Sequence, residues 1–201
     1  FEPLSADVFI YAPWSRESSH DLTAMLGPRV VVLHREVENI SAQLRAQASE
    51  TWWRAAERLP GSWLGCWQRR ATRPRRQRPA AEAEEGRRLG SGLCMAYAWR
   101  HCLTMIERHE SARGWRYRHI AQSRADLLWE RNHPAIVQLN AGFVWVPEGD
   151  DWGGLNDRHA IMERSLANIY LGGAWADLVS GAAVRLALRQ LGAERALNCS
   201  G

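Results

Sequence analysis

The run Ala6-Asp7-Val8-Phe9-Ile10-Tyr11 is followed at Arg29-Val30-Val31-Val32-Leu33 by a second run of the same β-branched, apolar character. Both are short and apolar on consecutive positions, which is how strands buried on two faces read. Between them, residues 18–26 read as a short helix, with Ser19 or Asp21 as N-cap and Gly27-Pro28 as its stop. A strand, a helix and a strand in so short a span imply a βαβ unit, because parallel neighbours need a crossover connection. The pattern therefore predicts an α/β domain with a mostly parallel central sheet flanked by helices.

Further along, residues 40–57 read as a helix with Leu44, Ala48 and Trp52 near one face. The periodicity then fails, and an Arg/Pro-rich flexible insertion is expected at about residues 60–89. Order resumes with a helix over 91–110, capped by Ser91, whose Met95, Trp99, Cys102 and Ile106 form a core-facing stripe in preference to a cofactor box. A strand within 118–129, a strand over 143–146 stopped by Pro147, and an acidic glycine-containing turn follow. A short strand at 160–162, a helix over 165–171 and a terminal amphipathic helix over 178–197 complete the chain.

With 201 residues, 46% hydrophobic and 24% charged, the chain suits one globular domain spanning 1–201. No apolar run reaches the ~20 residues that span a bilayer. Beginning at Phe1 and running straight into a strand, it reads as N-terminally truncated. The net charge of +4 comes entirely from arginine, with no lysine; a GC-rich genome or selection for bidentate phosphate contacts would each give this. Arg69, Arg70, Arg73, Arg75, Arg76 and Arg78 cluster in the insertion, as a solvated loop or a polyanion-binding segment, with Glu82, Glu84 and Glu85 partly cancelling them. Nucleic acid is accordingly not an expected partner. Cys66, Cys94, Cys102 and Cys199 lack metal-ligand spacing, and Cys94 and Cys102 are too far apart along a helix to pair. The triplets at Asn39 and Asn198 are compatible with a secretory location.

Two segments carry chemistry. In Ile120-Ala121-Gln122-Ser123-Arg124-Ala125-Asp126, alternation puts Gln122, Arg124 and Asp126 on one strand face. At the C-terminal end of a parallel strand, where open α/β sheets bind ligands, Asp126 is suited to ligate a divalent cation and Arg124 to hold phosphates. An edge strand with a solvated Arg124–Asp126 pair would show the same spacing. The second segment is Glu148-Gly149-Asp150-Asp151-Trp152-Gly153-Gly154-Leu155-Asn156-Asp157-Arg158. Gly153 and Gly154 allow close backbone approach, Trp152 offers an apolar ring to a sugar, and Asp157 is suited to accept a proton from an acceptor hydroxyl. Asn156 and Arg158 would fix hydroxyls or phosphate, although a surface turn accounts for the glycines equally well.

In order, DVFIY, the helix SGLCMAYAWRHCLTMIERHE, SRADLLW and VPEGDDWGGLNDRHAIM resemble a family of GT-A-like nucleotide-sugar glycosyltransferases of capsular polysaccharide synthesis and of algae and plants. Arg124 and Asp126 match that family's R-x-R-x-D-L strand, with Gln122 in place of the first Arg; Gly154, Asn156, Asp157 and Arg158 match its glycine-rich loop. The resemblance implies a nucleotide-sugar donor, a glycan or lipid-linked acceptor, and Mn²⁺ or Mg²⁺ at Asp126. It also implies a first nucleotide-holding strand before Phe1, and a Golgi or bacterial cytoplasmic setting according to source. A non-catalytic relative serving as a binding or scaffolding module is the competing expectation, favoured by Gln122.

Overall fold

β1 (Val8–Ala12) and β2 (Val30–His34) pair in parallel, Val8 opposite Val30 and Ala12 opposite His34. The parallel unit expected from the two apolar runs is therefore present. A computed structural model of the chain describes residues 6–12, 24, 29–34, 40–57, 92–124, 127, 134–149 and 156–191. The expected helix over 18–26 lies mostly outside the described residues, and the whole Arg/Pro-rich insertion, including residues 69–78, lies outside them.

The expectation of a mostly parallel, GT-A-like central sheet is overturned. A second sheet of three strands, β3 (His119–Ser123), β4 (Val144–Trp145) and β5 (His159–Glu163), has the order β3-β5-β4 and is antiparallel throughout. The cause lies in the connection. A parallel neighbour would need a crossover, usually helical. Among the described residues between β3 and β5 there is only a 3₁₀ turn (Ile136–Gln138) and β4, so the chain comes back alongside itself. His159, Ala160, Ile161 and Met162 are all buried, which gives β5 the central position.

Five α-helices are described: α1 (Ile40–Gln47), α2 (Glu50–Glu57), α3 (Gly92–Arg113), α4 (Arg164–Ser180) and α5 (Ala182–Leu191). The single helix expected over 40–57 is broken in two because Ser49 caps the second half, its Oγ accepting from the Trp52 N–H at 3.3 Å. α4 runs on past the expected stop at Leu171, straight through Gly172 and Gly173. Gly172 has a packing reason: a Cβ there would sit 3.1 Å from Leu103 Cδ2, so its absence lets α3 and α4 approach closely. The break comes instead at Gly181, at φ 76°, which separates α4 from α5.

Two apolar clusters hold these pieces. Leu44, Trp52, Trp53, Leu93, Tyr97, Trp175 and Leu178 join α1 to α4. Leu103, Ile106, Ile120, Ala160, Met162, Ala167 and Leu171 seat the antiparallel sheet on α3 and α4, with Phe9 of β1 against them. α3 lies between partners on two sides, so its buried residues are Leu93, Ala96, Tyr97, Leu103, Met105, Ile106 and Glu110. Of the expected stripe, Ile106 is buried while Met95, Trp99 and Cys102 are half-buried. Cys94 is disulfide-bonded and Cys102 is free, so the two do not pair with each other.

Where α3 ends and α4 begins, a buried ion pair fixes the frame. Arg164 Nε and Nη2 donate to the two Glu110 oxygens at 2.8 and 2.9 Å, and Nη1 donates to Asn168 at 2.8 Å. Glu110 also accepts from the Tyr117 N–H at 3.0 Å. Burial disfavours the Glu110 carboxylate, yet these donors hold its pKa below the usual carboxylate range. Beside it, the Tyr117 hydroxyl donates to Asp7 at 2.5 Å and meets His109 Nδ1 at 2.8 Å, which ties the start of β1 to the end of α3.

Candidate functional site

The two motif segments meet at the opposite end of the antiparallel sheet. Beyond the Ser123–His159 pair, the Arg124 N–H donates to the Arg158 carbonyl at 2.9 Å, continuing the ladder by one step. Two arginines therefore stand across from one another where β3 ends and β5 begins.

Asn156 positions this corner. It is buried, its Nδ2 donates to the Gly149 carbonyl at 2.7 Å, and its Oδ1 accepts from the Arg158 N–H at 3.0 Å. The second bond is an Asx-turn, in which a short polar side chain holds the backbone two residues on. Both ends of the Asn156 amide are thus engaged within the chain. It thereby presents Asp157 and Arg158.

Asp157 and Arg158 are half-buried and Arg124 is exposed. Tyr170, on α4, was not singled out by sequence reasoning, yet it shares the environment of Asp157. Burial, and then the Asp157 charge, raise its pKa, so the phenol stays protonated at neutral pH. Its ring stacks on Trp99 of α3 with centroids 5.4 Å apart. Gln122 lies on the same strand face as Ile120, with Ala160 across from it, and its Oε1 is buried without a hydrogen-bond partner among the described residues. Tyr170 lies within the helix expected over 165–171, but helical spacing offers no reason to connect its face with Asp157.

Of the remaining expected site residues, Asp126, Trp152, Gly153 and Gly154 lie outside the described residues. Among the described residues no three His, Cys, Asp or Glu side chains gather as a metal-binding group. Among the described residues no helix is long and apolar enough to cross a membrane.

Residues 95–198, which are 104 of the 201, match the family described as Domain of unknown function (DUF7796), and the chain belongs to that family. The match runs from α3 past α5 and so contains the corner formed by Arg124, Asp157 and Arg158. The chain matches no curated protein and no solved structure.

Proposed function

We propose that the chain acts in glycosyl transfer, moving a sugar from a nucleotide-sugar donor to a hydroxyl of a glycan or other acceptor. The observation that carries the reading is the Arg124–Arg158 backbone bond, which brings the strand motif and the loop motif to one corner beside Asp157. A sugar nucleotide leaves as a diphosphate, and planar guanidinium groups match phosphate oxygens bidentately. Arg124 and Arg158 would hold that group and stabilise the charge it gains.

Asp157 would take the proton of the acceptor hydroxyl as that oxygen bonds to the anomeric carbon. The bond from that carbon to the diphosphate breaks, and the nucleoside diphosphate departs with the electron pair. Tyr170, protonated and near Asp157, would orient the carboxylate or the acceptor.

The test is transfer by the full chain from a panel of UDP- and GDP-sugars to neutral oligosaccharides. Asp157→Asn should lower kcat by roughly 100-fold or more, the usual size of a lost general base, with donor binding retained. Undiminished transfer in Asp157→Asn would remove this assignment.

A second reading, a binding module without chemistry, is favoured by the division into a parallel pair and a separate antiparallel sheet. It predicts saturable donor or glycan binding with no turnover.

A further inference from the structure

A second feature lies at the other end of the antiparallel sheet. β3 advances about 3.3 Å per residue, which puts its His119 end roughly 13 Å from Ser123 and the corner described above. There the 3₁₀ turn and the loop after it rise over the sheet face that carries Ile161, leaving a shallow cleft. Trp145 and Phe143 form its apolar side, and Arg118, His119 and Glu163 lie along its polar side.

The apolar side is both exposed and fixed. Phe143 is 62% exposed and Trp145 40%, at positions where the chain had two neighbouring chances to place something polar. The Trp145 Nε1–H donates to the Asn140 carbonyl at 3.1 Å, so the indole is tethered by its edge. Gly142, at φ 81°, makes the turn that brings Asn140 back to it. The Phe143 ring stands at 64° to the indole with centroids 6.4 Å apart, so the two rings make a corner and not a flat patch. A ring held in this way binds without first giving up rotamer freedom.

The polar side narrows the ligand class. His119 and Glu163 are register partners across β3 and β5, and Arg118 adjoins them. That rim supplies a carboxylate acceptor and two kinds of N–H donor within one step of the sheet. Mixed charge of this kind disfavours a polyanion, a polycation or an anionic membrane surface, each of which needs one sign. It complements an uncharged polyol, whose hydroxyls both donate and accept, while aromatic faces complement the C–H face of a sugar ring.

We infer that the cleft formed by Trp145, Phe143, His119 and Glu163 is a binding site for a neutral saccharide chain. The site goes beyond the proposed transfer chemistry and does not depend on it. It would hold a glycan at a distance from Asp157, whether or not that glycan is modified there.

The experiment is saturation-transfer NMR and titration calorimetry on the full chain, without donor, against neutral hexasaccharides of β-1,4-glucose, β-1,4-mannose, β-1,4-xylose and α-1,4-glucose. At least one should bind saturably. Trp145→Ala and Phe143→Ala should each weaken it tenfold or more, whereas Trp115→Ala, an exposed tryptophan elsewhere, and Asp157→Asn should leave it unchanged. Phe143 is the safer truncation, being largely exposed, and melting curves would show that it still folds. Binding that survives both ring truncations, or that disappears in Asp157→Asn, would overturn the assignment by placing the sugar elsewhere. Failure of all four saccharides to bind would overturn it too, while leaving the donor-transfer assay to judge the other corner.

Discussion

Replacing Glu110 with Ala removes both acceptors of the Arg164 fork, whose side chain is only 6% exposed. The guanidinium keeps Asn168 alone, and the Tyr117 N–H loses its acceptor. Stranding one member of a buried pair costs about 3–5 kcal/mol. In a domain of this size each kcal/mol lowers Tm by roughly 2–4 °C, so a drop on the order of 10 °C is expected. Arg164→Ala should cost about as much, because it leaves the Glu110 carboxylate buried without its main donor. The double variant Glu110→Leu/Arg164→Met should be milder than either single change, since it strands no charge. Urea unfolding followed by tryptophan fluorescence and far-UV circular dichroism gives all three values. Because the folded carboxyl of Glu110 titrates below its unfolded value, its contribution is present above the unfolded pKa and is lost as pH falls through the folded one. Wild type should therefore lose stability in acid more steeply than Glu110→Ala. Single variants costing under about 1 kcal/mol, or effects that simply add in the double variant, would refute the buried clamp.

Gly181→Ala should destabilise by about 2 kcal/mol or more, because φ is 76° and the new Cβ would lie 1.9 Å from Trp52 Cδ1; a thermal melt checks it. The Cys102 thiol, pushed up to about 11 by burial, should resist alkylation at pH 7. Only about one thiol in ten thousand is then ionised, and peptide mapping should show modification only after unfolding. Tyr170→Phe keeps the stack on Trp99 and removes the hydroxyl whose ionisation the Asp157 charge opposes, so it should lower kcat/KM roughly tenfold with little change in Tm.

The parallel pair of β1 and β2 was legible because each strand is a continuous apolar run, and α3 because its apolar residues recur at helical spacing. The direction of β5 was not. His159-Ala160-Ile161-Met162 is a buried strand by composition, but nothing within it says whether its neighbours run with it or against it. That is decided by the path of residues 124–158, a non-local property. The unbroken course of α4 was masked by Gly172-Gly173, of which Gly172 lacks a side chain to suit a partner helix far away in sequence. At the candidate site, alternation and spacing singled out Arg124, Asp157 and Arg158, and the Arg124–Arg158 backbone bond brings their segments together. The Asx-turn at Asn156 was written in the Asn-Asp-Arg order, yet a polar side chain in a loop reads alike whether it meets substrate or its own backbone. Ser49, followed by Glu50, carried a helix-start signal that the apolar face of residues 40–57 outweighed.

The proposed function makes Arg124 and Arg158 a diphosphate-holding corner beside Asp157. Calorimetric titration of the full chain with UDP- and GDP-sugars, with and without Mn²⁺, measures it directly. Saturable binding is expected, weakened tenfold or more, about 1.4 kcal/mol, in each of Arg124→Ala and Arg158→Ala. Binding unchanged in both variants, or no binding of any sugar nucleotide under either condition, would contradict it.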